Sequence, residues 1–200
     1  MDETRPINPI AIARHHDAGA YVRAYRKHRR IRIKDFLEPS SAEALSNALS
    51  SAPFALADGR ETGEPYQFDS VALAKSSAPL ADFIAGAQLG AFLSTLVGSA
   101  SIADVSVTRF REGHYRSLSD GSSEAEKPMA RFALNLTRGW KPEWGGLLLF
   151  LDDKGNIAEG HVPQFNSLSL FHIPQLHFIS QVSSEAPAGQ LIITGSISGR

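Results

Sequence analysis

The chain has 200 residues, enough for one domain with a substantial core, and its 42% hydrophobic content is ordinary for a globular protein. A formal net charge of −1 gives no general attraction to nucleic acid or to acidic membranes, and the lack of cysteine excludes disulfides, zinc–thiolate sites and a thiol nucleophile. No apolar segment follows the opening Met1-Asp2-Glu3-Thr4-Arg5-Pro6, and no apolar run approaches the length of a membrane span. The expectation is therefore a cytoplasmic protein with neither membrane nor nucleic-acid partners.

Residues 1–12 show little pattern and read as a flexible arm. Asp17 suits the N-cap of a short helix reaching His28, with Ala20, Tyr21, Ala24 and Tyr25 along one face. Residues 29–36 alternate basic and apolar side chains and predict a strand with one wet face. Basic residues cluster from Arg23 to Lys34, and near-neutral overall charge makes them a solvated face rather than a phosphate-binding one. Pro39-Ser40-Ser41 opens a helix to about Ser50, in which Ser40 and Glu43 have the spacing of a capping box. Residues 53–70 mix proline, glycine and charge and predict a loop with at most short strands. A helical apolar pattern over 79–97 is weakened by Gly86 and Gly90 and stopped by Gly98. Short β-type runs then follow at 103–111, 131–137, 146–151, 168–171, 178–182 and 191–194, separated by turns such as Asp153-Lys154-Gly155-Asn156. Helices followed by closely spaced strands predict a single α+β domain over 1–200. Residues 13–100 would form a helical support region, and 101–200 the main strands of a sandwich or jelly roll.

Three blocks carry a family resemblance. Trp140-Lys141-Pro142-Glu143-Trp144-Gly145-Gly146, running on to Phe150, resembles the W-x-P-E-W-G-G turn of prolyl 4-hydroxylase-like oxygenases, and Leu134-Asn135-Leu136-Thr137 precedes it as in that family. Pro163-Gln164-Phe165-Asn166 with Leu168, Leu170, Phe171 and His177 resembles the approach to the family's distal metal histidine. Ile193-Thr194-Gly195 resembles its last strand, and Ile33-Lys34-Asp35-Phe36-Leu37 its entry region. The resemblance to the iron(II)- and 2-oxoglutarate-dependent oxygenases covers nearly the whole chain. It implies N-terminal helices packed on a double-stranded β-helix.

The same resemblance implies a site. The family holds Fe(II) with an H-x-D pair and a distal histidine, and binds 2-oxoglutarate through an arginine. In the register that needs no gap from Gly113 to Thr137, the first histidine position is Ser119 and the carboxylate position is Gly121. The distal histidine is His177, the arginine position is Gln190, and Tyr115 is a further candidate for the cosubstrate pocket. Asp120 lies between the two altered positions and faces away in a regular strand, although a bulge could turn it inward as a substitute ligand. His114, His161 and His172 are further candidates. His15-His16-Asp17 also reads H-x-D but lies in the N-terminal helical region.

Serine is a poor ligand for Fe(II), glycine supplies none, and a neutral glutamine replaces a charge-assisted fork at a cost of roughly 1–2 kcal/mol. The expected protein is an oxygenase relative without most of the iron and 2-oxoglutarate ligands. Such a pseudo-oxygenase would bind a protein, peptide or small molecule, form a homo-oligomer, or pair with an active homologue. The alternatives are an active Fe(II)/2-oxoglutarate dioxygenase acting on a peptide or small molecule through a rebuilt Asp120/His177 site, and metal-free chemistry with His177 as acid or base.

Overall fold

The computed structural model describes residues 9–61, 65–98, 100–122 and 128–199. In chain order the elements are α1 (Ala18–His28), β1 (Arg30–Ile33), α2 (Pro39–Ser50), β2 (Ala55–Asp58), β3 (Tyr66–Ala72), α3 (Leu73–Ser76), α4 (Ala78–Ala85) and α5 (Ala87–Val97). There follow β4 (Ala100–Phe110), β5 (Tyr115–Ser119), β6 (Ala130–Asn135), a 3-10 turn (Pro142–Trp144), β7 (Leu148–Leu151), β8 (Ile157–His161), β9 (Ser167–His172), β10 (His177–Ile179) and β11 (Gln190–Gly199).

The strands form one antiparallel sheet in the order β1-β9-β6-β11-β4-β3-β5-β10-β7-β8, with β2 added on β3. Strict period-2 alternation in its first four strands decides what lies on each side. Ile31 and Ile33 of β1, Leu168 and Leu170 of β9, and Phe132 and Leu134 of β6 face outward into one core cluster shared with the helices. Leu45, Leu49, Leu80, Leu89 and Leu93 supply the helical half of that core. The opposite face of the same strands carries Arg32, Arg131, Asn135, Ser167 and Ser169, and the sheet curls around it into a jelly roll.

The two ends of the sheet are drawn together by side chains. Arg30 Nε of β1 donates to Glu159 Oε2 of β8 at 2.5 Å, and its guanidinium lies over the Phe150 ring. Arg32 donates to the Val162 carbonyl just beyond β8. The basic stretch at 29–36 therefore differs from the wet strand face its alternation suggested. Arg30 and Arg32 point into the roll, because the outward side of β1 is taken by the helices.

Asp17 caps α1 as expected, accepting from Ala20 N–H at 3.0 Å. The capping box in α2 does not form. Pro39 starts that helix at its first position, where a missing N–H is harmless, so Glu38 becomes the N-cap and Ser41 Oγ accepts from Ala11 N–H instead. The helix expected over 79–97 is two, α4 and α5, bent by 48° at Gly86, whose ψ of 151° is extended. No single helix among the described residues is long and apolar enough to cross a membrane. Residues 1–8 of the expected arm lie outside the described residues. Beyond them Ile10 and Ile12 are buried, and Ile12 bridges to Leu37. The segment expected as loop holds the hairpin of β2 and β3. β5 and β8, which lack an apolar run, were not anticipated.

Asn166 shows how one motif residue serves the fold. Its amide accepts from Leu37 N–H at 2.8 Å and donates to the Leu37 carbonyl at 2.7 Å, while its own carbonyl accepts from Phe36 N–H. Asn166 has a φ of +57°, a left-handed conformation asparagine tolerates better than most residues. Asn166 thereby fastens the exit of β1 to the loop before β9. Asn166→Ala is expected to lower stability by about 2–4 kcal/mol, because it strands a buried donor and acceptor of Leu37. Chemical denaturation measures this, and a loss below about 0.5 kcal/mol would contradict the assignment.

Candidate functional site

Inside the roll is a cavity of about 90 Å³, bounded on one side by β1, β9, β6 and β11 and on the other by β5, β7 and β10. Its walls are apolar at Leu148, Phe171, Ile179 and Ile192. Three arginines, Arg32, Arg116 and Arg131, and two histidines, His161 and His177, interrupt them. The one carboxylate among the described lining residues, Asp104, belongs to an exposed residue and accepts from Ser196 Oγ at 2.5 Å.

Of the residues singled out in the sequence, His177 lines this cavity. It is 5% exposed and its ring packs 4.7 Å from that of Phe171. Nδ1 lies 2.7 Å from the Gln175 carbonyl. A carbonyl can only accept, so Nδ1 carries a hydrogen. In the β5–β10 ladder His177 stands directly opposite Ser119, whose Oγ accepts from Gly121 N–H at 3.0 Å.

Gly121 completes this group. It has a φ of +78°, and a Cβ built there would lie 2.5 Å from Ile173 Cδ1, 3.2 Å from His177 Cε1 and 3.5 Å from Arg131 Nε. The sheet thus brings 119, 121 and 177 together and adds Arg131, which the sequence reading passed over. Alternation along Ala130-Arg131-Phe132-Ala133-Leu134-Asn135 was the available signal. With Phe132 and Leu134 in the core, Arg131 must face the cavity.

The remaining candidates fall elsewhere. Asp120 turns its carboxylate to the Ser122 N–H at 2.8 Å, and its carbonyl accepts from Gln175 N–H. Tyr115 pairs with Gln67 in the ladder, and its neighbour Arg116 is the residue lining the cavity. Gln190 is fully buried, and its Nε2 donates to the Gly146 carbonyl at 3.0 Å. A Cβ at Gly146 would fall 1.6 Å from that nitrogen, so the glycine makes room for the glutamine. His114 is buried beside the Arg109 carbonyl. His172 is the last residue of β9, and burial pushes its pKa down. In the N-terminal H-x-D, His16 bonds Tyr21 and the Phe36 carbonyl while Asp17 caps α1.

His161 belongs to the network that closes the roll. Nε2 lies 2.8 Å from Glu159 Oε1, and Nδ1 lies 2.8 Å from Ser169 Oγ. The carboxylate accepts, so Nε2 carries the hydrogen and the Ser169 hydroxyl donates to Nδ1. Burial holds the His161 pKa below its ordinary value, against the hydrogen bond and charge of Glu159. Burial alone would raise Glu159, but hydrogen bonds from His161 and Arg30 outweigh it and hold that carboxyl below its usual range. Burial also lowers the Arg32 pKa, with the charge of Glu159 acting the other way.

Three histidine, aspartate or glutamate side chains able to hold a metal ion together do not occur among the described residues. Among the described residues, the groups that meet His177 at this spot are a hydroxyl already bonded to backbone, a glycine and a guanidinium. That donor set does not fit Fe(II), which needs two histidines and a carboxylate on one face.

Known proteins were compared with the chain as a whole. A model of the 2OG-Fe(II) oxygenase superfamily matches residues 105–198. No curated protein matches the sequence. The fold is similar to that of an oxidoreductase of the 2OG-Fe(II) oxygenase family from Burkholderia pseudomallei, at a TM-score of 0.73 and 11% identity, covering 96% of this chain and 95% of that one. It is also similar to a prolyl-4-hydroxylase from Pseudomonas putida, at a TM-score of 0.70 and 16% identity, covering 92% and 99%. A third similar structure is the carbocyclase SnoK of nogalamycin biosynthesis, at a TM-score of 0.69 and 13% identity, covering 96% and 87%. These likenesses establish the resemblance and the jelly-roll fold.

The depressed His161 pKa has a defined sign. Above about pH 6.5 the ring is neutral in both folded and unfolded chains. As pH falls below that value, the unfolded chain takes up a proton that the folded one resists, so stability is lost until the folded pKa is passed. The drop in unfolding free energy between pH 7.5 and 5.5 should therefore be larger in the native protein than in His161→Gln. Equal drops in denaturant melts would contradict a buried neutral imidazole.

Proposed function

We propose that this chain, whose residues 105–198 match the 2OG-Fe(II) oxygenase superfamily, is a ligand-binding relative of those enzymes that does not carry out iron-dependent oxidation. The observation that carries the reading is the group around His177: Ser119 opposite it in the ladder, Gly121 against its ring, and the Arg131 guanidinium on the same spot. In this reading Ser119 and Gly121 stand where the first histidine and the carboxylate of the iron site would be, and His177 remains from the distal position. Asp120 does not substitute, because its carboxylate is held by the Ser122 N–H.

Charge supports the same conclusion. A divalent ion a few ångströms from a guanidinium meets a repulsion on the order of several kcal/mol at a protein-like dielectric. One imidazole cannot offset that. At the position of the cosubstrate arginine, Gln190 is neutral and already bonded to Gly146, which leaves it little to offer a carboxylate. The room for a restored ligand is also gone. An aspartate at 121 would take up a left-handed φ and push into Ile173.

Anaerobic calorimetric titration with Fe(II) and 2-oxoglutarate tests the reading, with His177→Ala as control. No stoichiometric metal binding and no conversion of 2-oxoglutarate to succinate is the expected result. The double variant S119H/G121D is expected to be less stable than the native chain and still not to bind iron. Tight Fe(II) binding that disappears in His177→Ala would overturn the proposal in favour of an active dioxygenase with a rebuilt site.

A further inference from the structure

The serines that line the cavity among the described residues use their hydroxyl hydrogens differently. Ser167 Oγ donates to the Gln164 carbonyl at 2.8 Å, and Ser196 Oγ donates to the Asp104 carboxylate at 2.5 Å. Ser169 Oγ instead donates to a base, Nδ1 of His161, at 2.8 Å. The far nitrogen of that ring, Nε2, donates to Glu159 Oε1 at 2.8 Å. Hydroxyl, imidazole and carboxylate thus stand in series, the arrangement that activates a serine as a nucleophile. The series also has a direction. Ser169 and His161 line the cavity, and each is 6% exposed, whereas Glu159 lies behind the ring and is not part of the lining.

The geometry points to a metal-independent hydrolytic centre for short-chain carboxylic esters, with Ser169 as nucleophile, His161 as general base and Glu159 as positioning residue. Ser169 Oγ attacks the ester carbonyl carbon, and its proton passes to His161 Nδ1. The carbonyl oxygen takes the negative charge. The bond to the alcohol oxygen then breaks, and that oxygen recovers the proton from Nδ1. A water molecule attacks the resulting acyl–serine ester in the same way, which releases the acid and restores the Ser169 hydroxyl. Ester and water are consumed, acid and alcohol are formed, and no oxidant is needed.

The surroundings of Ser169 supply what these steps require. A developing oxyanion needs an N–H donor beside the nucleophile. Arg32 stands directly opposite Ser169 in the β1–β9 ladder, and its Nε is buried without a hydrogen-bond partner among the described residues. Cβ atoms in such a pair are about 4.5–5.5 Å apart, so this N–H can reach an oxygen on the acyl carbon. Burial favours the neutral His161 ring, with Glu159 opposing and the charges of Arg32 and Arg30 assisting, which leaves Nδ1 able to take a proton near pH 7. The Glu159 carboxylate is shared with Arg30, and its charge also acts on Arg32, so it orients the ring and the guanidiniums together. Size sets the substrate. At about 90 Å³ the cavity is smaller than the ~150 Å³ space that encloses benzene, so an acyl group of about two to four carbons fits. Leu148, Ile179 and Ile192 offer an alkyl chain an apolar wall.

The experiment is incubation of the full chain with ethyl acetate and ethyl butyrate in the presence of a chelator, with release of the acid followed by proton NMR. Saturable hydrolysis is expected. Ser169→Ala and His161→Gln should each lower kcat by about a hundredfold or more. Glu159→Gln keeps an acceptor for Nε2 and should lower kcat by about tenfold with KM unchanged. In the native protein, methanesulfonyl fluoride should sulfonylate Ser169 with loss of fluoride, read by mass spectrometry of its peptides, which serves even if the variants fold poorly. Three outcomes would overturn the assignment: no hydrolysis above the rate in buffer, hydrolysis unchanged in Ser169→Ala, or no sulfonylation at Ser169. None of them involves iron, so they are separable from failure of the preceding proposal, which is tight Fe(II) binding dependent on His177.

Discussion

A β-strand sends alternate side chains to opposite faces, and in this protein the outer face of β1, β9, β6 and β11 is committed to the helices. Everything on the inner face follows from that commitment. Leucine, isoleucine and phenylalanine take the positions that meet α2, α4 and α5, so the intervening arginines, serines and asparagine are forced into the roll. A one-residue slip in any of these strands would exchange the two sets and place charge in the core. The register of β6 against β9, with Phe132 opposite Leu170 and Leu134 opposite Leu168, is therefore fixed by apolar burial.

Charge inside the roll then shapes its closure. Arg30 reaches Glu159 and Arg32 reaches the Val162 carbonyl, so the first strand of the sheet and the last are tied by side chains rather than by a backbone ladder. His161, neutral because it is buried, links the same carboxylate to Ser169 on β9. The members of this network come from segments up to 130 residues apart in the chain. It confers orientation as much as stability, since each partner left alone would be a buried unsatisfied group.

The group around His177 is assembled by backbone pairing and one tight turn. Backbone pairing keeps Ser119 opposite His177, and the left-handed turn at Gly121 lets Ile173 and Arg131 occupy space that a longer side chain would need.

Much of this was legible in the sequence. The helices at 18–28 and 39–50, the strand at 30–33 and most later strands follow from period and turn chemistry, and the Trp140–Gly146 block pointed to the jelly roll. The positions 119, 121, 177 and 190 could be aligned without coordinates. What the sequence left open depended on contacts between distant segments. Polar strands such as Tyr115–Ser119 and Ile157–His161 form because neighbours supply their hydrogen bonds, not because their own pattern demands it. The inward direction of Arg30 and Arg32 was hidden because alternation states that two faces differ without saying which one is buried. The placement of Arg131 beside His177 was decided by the curl of the sheet, which joins β6 to β10 across the cavity although they share no ladder. Sequence alone thus determined which residues alternate along each strand; only the closed tertiary structure decided which of them meet inside the roll, because that depends on which faces the folded sheet turns toward itself.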